Sequence, residues 1–445
     1  MRGGRSLADV IQRGVAVLLL VILASLAVSL VLMLKQQPTA FAQHLVNGLT
    51  LGGLFALIAL GYTMVYGIIE LINFAHGEVF MVGSFLGLVV LEALFGWGIT
   101  SVWIAPALAV IVAMLGCACL GVALDAVAYK PLRRRPNWGS VGAACVAIFG
   151  LMLVLIPGKV QVALGMGDAP EPFFFVSRLG GFVILMLFAW SAFALDERNP
   201  SSPRNTPRVN ALLSAIGMSI FLQNLVMLTV GRDTQTFVQI GDFTGLPIDP
   251  VTGLTRTSFP LFGIHVQYIE VLTLVLSIVL MLILDQLISR TRVGKGMRAI
   301  AQDSEAAMML GIPVNRVITM TFMVGSGLAA AAGILYGLRY GGVKFNDGFI
   351  IGLKAFIAAV LGGIGNIRGA MLGGFLLGLS ETVVVATMEF GWGRLGIWRH
   401  GEDAASLWPY AEFHDYKDAI AFLILVAVLT FRPAGLLGAP DVEKV

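Results

Sequence analysis

Three polar side chains stand close together in an otherwise apolar stretch: Asn73, His76 and Glu78, within Glu70-Leu71-Ile72-Asn73-Phe74-Ala75-His76-Gly77-Glu78. A carboxylate and an imidazole two residues apart can pair to lock a helix break, end a helix at a wet interface, or line a polar pathway. Ionisable groups at membrane depth are costly and usually mark function. His76 and Glu78 are too sparse for a metal site. Three further polar groups interrupt apolar runs: Gln223, Asn224 and Glu381. Interhelical hydrogen bonding is one role for the first two, and lining a path is another. Glu381 is a further path candidate. There is no His-Glu-x-x-His pair, no nucleophile elbow and no paired carboxylates at a useful spacing. The Gly-rich run Gly362–Gly369 lacks the Gly-x4-Gly-Lys-Ser/Thr pattern of a phosphate loop, as does the whole chain. The residues therefore point to passage or positioning, with no catalytic group, metal or cofactor expected.

The elements that must position these residues are membrane spans. Of 445 residues, 58% are hydrophobic and 12% charged, with mean hydropathy +0.89. That composition belongs to a polytopic helical membrane protein. The net charge of +3 comes with no dense basic run, so no nucleic-acid groove is expected. The 53 glycines suit helices that pack through small residues. Cys117, Cys119 and Cys145 lie in apolar segments without metal or disulfide spacing.

The expected fold is all-α, a polytopic transmembrane bundle of about twelve apolar segments, some broken or re-entrant. Residues 1–42 form an N-terminal extension, read either as an extra span or as a signal peptide ending at Ala40-Phe41-Ala42. A first core part covers 43–136. An insert at 137–206 carries two apolar runs, about 139–157 and 179–195, and a hydrophilic linker. A second core part covers 207–445. Within it, the apolar stretch 351–388 is interrupted at Gly362-Gly363-Ile364-Gly365-Asn366-Ile367-Arg368-Gly369, which reads as a hairpin or broken helix. Loops 231–264 and 389–416 are placed outside. Seventeen of the 29 Lys and Arg fall in segments placed inside, with both termini cytoplasmic.

The longest such inside segment is 290–316, with Arg290, Arg292, Lys295, Arg298 and Arg316 between two spans. Asp303 or Ser304 can cap a short helix near Glu305, and Gly311 stands where it should stop. A cytoplasmic helix held by two spans is a handle on which another protein can push. Glu305-Ala306-Ala307 with Gly311 matches the start of the Glu-Ala-Ala…Gly signature of ABC importer permeases. The small alanine face would enter a groove on an ATPase.

The resemblance extends along the chain. Asn47-Gly48-Leu49-Thr50-Leu51-Gly52, Ile58-Ala59-Leu60-Gly61-Tyr62-Thr63-Met64-Val65-Tyr66-Gly67-Ile68 and Ile72–Glu78 resemble branched-chain amino acid ABC transporter permeases of the LivH type. So do Leu213-Ser214-Ala215-Ile216-Gly217-Met218-Ser219-Ile220-Phe221-Leu222-Gln223-Asn224, Ala359–Gly365 and the ending Asp441-Val442-Glu443-Lys444-Val445. The likeness covers about 43–135, 207–388 and 416–445; the extension 1–42, the insert and an enlarged loop at about 389–412 depart from it. The resemblance implies a multi-pass subunit of the bacterial inner membrane. Its partners would be a second homologous permease, two cytoplasmic ATP-binding subunits, a periplasmic substrate-binding protein and the lipid bilayer. The implied cargo is a branched-chain amino acid; urea or a short amide is the alternative, and an ion-coupled secondary transporter is the competing class.

Overall fold

The computed structural model describes residues 24–133, 137–155, 171–198, 208–247, 256–394, 417–432 and 434–438. Most of the N-terminal extension, the linker 199–207, most of the loop 389–416 and the terminal Asp441–Val445 stretch lie outside the described residues. Long apolar runs with no interior water to satisfy the backbone must form helices, and the described residues are helical almost throughout. In chain order these are α1 (Ala24–Gln36), α2 (Pro38–Ile69), α3 (His76–Gly96) and α4 (Ile104–Leu124). Then come α5 (Trp138–Leu155), α6 (Glu171–Arg198), α7 (Arg208–Val230) and α8 (Tyr268–Arg290). The polar stretch holds α9 (Arg292–Gln302) and α10 (Ser304–Met309), and the last four are α11 (Val314–Tyr340), α12 (Asp347–Gly362), α13 (Ile367–Arg394) and α14 (Lys417–Phe431).

Nine of these helices are long and apolar enough to cross a membrane, counted among the described residues. Among the described residues α1 is a shorter apolar helix, and α12 and α14, of 16 and 15 residues, fall below span length. The protein is a multi-pass helical membrane bundle. The break expected near Gly362 is a tight turn from α12 into α13. One boundary moves: α2 starts at Pro38, whose missing N–H suits a first turn, so a division drawn at residue 42 falls inside a helix. The α4 segment continues through a π turn at Asp125–Tyr129 into Lys130–Arg133.

The core lies around α2 and α11, whose span windows are 78% and 83% buried. Small residues let α2 and α13 touch backbone to backbone: a Cβ on Gly378 would overlap Gly52, and one on Gly374 would overlap Ala56. Helices α3 and α4 flank α11, while α5 and α6 pack mainly on each other and lean on α4. The outer face of that pair is apolar, with Trp138, Phe149, Leu187 and Trp190 exposed. The region expected as one outside loop, 231–264, has strands. β1 (Gln235–Thr236) pairs antiparallel with β4 (Gly342–Val343), and β2 (Ser258–Leu261) forms a hairpin with β3 (Ile264–Gln267).

Candidate functional site

Helix α3 starts deep. A Cβ on Gly61 would overlap the His76 ring, and one on Gly325 would come within 3.7 Å of His76 Cε1. Gly325 is eleven residues into α11, roughly 16 Å from its start at 1.5 Å per residue. His76 and Glu78, each 1% exposed, are therefore buried inside the bundle, with His76 beside the middle of α11. The His76 ring meets Tyr62 edge-on at 4.7 Å between centroids, and its Nε2 has no hydrogen-bond partner among the described residues. His76 and Glu78 do not pair with each other.

Glu78 faces two other elements. Its Oε1 accepts from the Ser219 hydroxyl of α7 at 3.3 Å. Its Oε2 has no hydrogen-bond partner among the described residues, and it lies where any side chain on Gly348 would stand. Gly348 is in the first turn of α12, and Gly77 packs directly on Gly348 and Gly352. The N-terminal ends of α3 and α12, which carry the positive ends of their helix dipoles, thus converge on this carboxylate. Asn346, at the N-cap of α12, makes no side-chain capping bond.

In front of Ser219 lies a cleft of about 410 Å³. Its apolar walls are Phe74, Ile216, Ile220, Phe349 and Ile350. Its polar groups are Ser219, Gln223 and Asn346. Gln223 therefore lines the same cleft as Ser219, one turn along α7, and Ser219 links that wall to Glu78. The remaining candidates stand elsewhere. Asn73 accepts from the Tyr129 hydroxyl at 2.6 Å, which ties the segment between α2 and α3 to the π turn of α4. Asn224 is exposed on the outer face of α7 and donates to Ile220 O of its own helix at 2.7 Å. Glu381, 6% exposed, forms an ion pair with Lys354 of α12 at 2.8 Å. Lys354 also reaches Asp418 of α14. Two further buried ionic clusters brace the bundle. Arg339 pairs with Glu270 at 2.6 Å and with Asn47 at 3.2 Å. Asp125 accepts from Arg133 and, at 2.6 Å, from Thr319.

Sequence reasoning missed Ser219, Asn346, Lys354 and Asp418. Ser219 had a signal, since it precedes Gln223 by four residues and so shares its helix face. Lys354 had one too: it is a lone cation in an apolar run. Among the described residues no group of three His, Cys, Asp or Glu is arranged to hold a metal ion.

The polar stretch 290–316 folds into two helices where one was expected. Thr291 caps α9 by accepting from Gly294 N at 3.1 Å. The Arg298 guanidinium donates to Ile288 O, which fixes α9 against the end of α8. The cap of α10 is Asp303, not Ser304: its Oδ1 accepts from Glu305 N at 2.9 Å and Ala306 N at 3.0 Å. The chain leaves α10 through Gly311 at φ +80°, a left-handed conformation that favours glycine. Ala307 turns inward and is buried, while Met309 and Leu310 are 87% and 82% exposed. The exposed surface of α10 thus carries Met308, Met309 and Leu310 beside Ser304, Glu305 and Ala306. Asp303→Ala removes the acceptor for two N–H groups and is expected to cost about 1 kcal/mol, confined to α10. Hydrogen exchange would show it as faster loss of protection at Leu310 and Gly311, with the global melting temperature unchanged.

Long apolar helices packed around a buried carboxylate, beside a cleft, make this a membrane protein of the polytopic helical class. Residues 44–196 and 175–429 match the family described as "Branched-chain amino acid transport system / permease component", and the chain belongs to that family. It is 36% identical over 406 residues to the high-affinity branched-chain amino acid transport system permease protein BraD of Pseudomonas aeruginosa, covering 91% of this chain and 98% of that one. It is 33% identical over 412 residues to the corresponding protein LivH of Escherichia coli, covering 93% and 100%. A shorter match of 30% over 193 residues reaches the autoinducer 2 import system permease protein LsrC of Salmonella paratyphi B, covering 42% of this chain and 46% of that one. A solved structure, PsaBC from Streptococcus pneumoniae in complex with Fab, aligns with a TM-score of 0.29 at 11% identity over 91% of this chain and 95% of that one, too remote to bear on the fold.

Proposed function

We propose that this chain is a membrane-spanning subunit of an ATP-driven importer of branched-chain amino acids in the bacterial inner membrane. It forms the path together with a second homologous permease. Two cytoplasmic ATP-binding subunits drive it, because no phosphate-loop sequence occurs in the chain itself. A periplasmic binding protein delivers the substrate. The observation that carries this reading is the match along nearly the whole of two relatives named as branched-chain amino acid permeases.

The geometry fits those roles. The α9–α10 pair is pinned to α8 and leads into α11, so a push on it reaches the core. The outside strands β1 and β4 join the loop after α7 to the loop before α12, which gives a docked binding protein a direct line to the cleft. Closure of the ATP-binding subunits would favour one of two arrangements of the spans, and only that differential affinity shifts the population. The division into a first core part, an added α5–α6 pair and a second core part is retained as part of this proposal.

Mild detergent extraction should recover this chain with a second permease and two ATP-binding chains. Vesicles supplied with binding protein and ATP should take up labelled leucine. Uptake of urea instead would move the substrate class, and uptake driven by a proton gradient by this chain alone would overturn the importer. Glu305→Lys and Gly311→Pro are expected to abolish coupled uptake while membrane insertion stays intact. Proline cannot adopt the φ of Gly311, and it removes the N–H that bonds Met308 O at 3.0 Å. Normal uptake by both variants would show that α10 is not the handle.

A further inference from the structure

We propose that Glu78, Ser219 and the cleft before them form the amino-acid station of this subunit. The ammonium group of an aliphatic α-amino acid is held at the Glu78–Ser219 pair, and its branched side chain lies against Ile216, Ile220, Phe349 and Ile350. The proposal rests on the importer reading and deepens it by assigning the substrate's two recognisable parts to named residues.

Four observations carry it. A buried carboxylate needs partners for both oxygens, since an unsatisfied charged acceptor is expensive. Glu78 is 1% exposed, yet Oε2 has none among the described residues. The carboxylate is held directly behind the cleft wall by the Ser219 hydroxyl, itself part of that wall. Apart from Gln223 and Asn346, the cleft's remaining walls are aliphatic and aromatic, which suits a branched hydrocarbon. Finally, the N-terminal ends of α3 and α12 converge on this point, and the Asn346 side chain leaves the α12 end without a cap. A zwitterion brings a cation for Glu78, while the α12 end already carries the Asp347 carboxylate in its first turn.

The cleft is also half a site. Ile216, Ile220, Phe349 and Ile350 are 39%, 55%, 57% and 48% exposed, on the outer surfaces of α7 and α12. An amino acid resting there would be open on one side unless the second permease closes it. Such an arrangement holds the substrate only while the two permeases are together, which keeps the station weak in either one alone. An importer fed by a binding protein needs transit more than retention.

The test uses the whole transporter in proteoliposomes, with binding protein outside and ATP inside. Labelled-leucine uptake and ATP hydrolysis stimulated by the leucine-loaded binding protein are read together. Glu78→Gln removes the charge with little change in shape. Ile220→Trp fills the cleft from its open side without touching Glu78. Each should lower leucine uptake by roughly tenfold or more, the loss of one charge-assisted contact or of the space itself. Stimulated ATP hydrolysis should stay within about twofold of the unaltered complex, and Glu78→Asp should recover part of the uptake. A merely structural Glu78 would lose assembly and hydrolysis together and leave Ile220→Trp transporting normally; that result overturns the proposal. Normal uptake by both variants overturns it as well. Absence of leucine uptake by the unaltered complex would remove the importer reading first, and this one with it.

Discussion

Lys354→Met is expected to destabilise the folded permease by about 3–5 kcal/mol, because it leaves a charge buried without its counter-charge. Glu381 would remain 6% exposed, with both oxygens short of partners, since Oε2 already lacks one among the described residues. Asp418 is 39% exposed in its side chain and can hydrate, so the penalty falls on Glu381. Glu381→Leu alone should cost less, because Lys354 keeps Asp418. The double variant Lys354→Met/Glu381→Leu should recover most of the stability, as buried pairs replaced by packed apolar groups commonly do. Thermal unfolding in detergent, arranged as a double-mutant cycle, reads the coupling directly. Midpoints of both single variants within a degree of the parent would show that the ion pair does not hold α12 to α13. The same cycle decides the standing of Glu381. A double variant that is stable but does not transport would return Glu381 to the path; one that is stable and active would confine it to bracing.

The second large effect is expected at the α2–α13 contact. Gly378→Leu places four carbons where the backbone of Gly52 already stands. Overpacking a core commonly costs 1–3 kcal/mol when side chains can move aside. Here the obstacle is backbone on both helices, so the helices must separate and no folded, extractable protein is expected. Gly142→Leu is the control, for a Cβ there meets nothing within 4 Å. Size-exclusion profiles after extraction should show a sharp peak for the control and loss of the peak for Gly378→Leu. A sharp peak for both would mean that α2 and α13 can part without unfolding the bundle.

The sequence made the spans legible because twenty apolar residues in a row have few other fates. The break at Gly362–Gly369 was legible for a similar reason, since four of its eight residues are glycine, which disfavours a continuing helix. The polar segment 290–316 announced a break between two spans through its charge. Depth was not legible. Nothing in Ile72–Glu78 says whether a helix begins at the surface or 16 Å inside it, because that is set by how far α3 slides along α11. Facing was only partly legible. Gln223 and Asn224 are neighbours in sequence, yet successive helical residues point about 100° apart, and only Gln223 reaches the cleft. Partnership was least legible. Lys354 and Glu381 are 27 residues apart on two helices, and only the tight turn between those helices brings them together. In α10 the composition suggested an alanine surface, but the buried position of Ala307 gives that surface to Met309 and Leu310.

The order in which the chain is made sets a further condition. Helix α2 finds its closest companion in α13, which begins some 300 residues later, and α11 arrives after eight other helices. At roughly 5–20 residues per second, synthesis of the intervening chain takes from about fifteen seconds to a minute. For most of that time α2 and α3 exist without α11 and α12, which help enclose His76 and Glu78. A half-made permease must therefore wait at the insertion machinery with its central charges unshielded, or be sheltered by α4 and the α5–α6 pair, the next helices to emerge. Codon changes that hasten or slow translation between residues 230 and 370 should alter the yield of folded protein even though no side chain is changed.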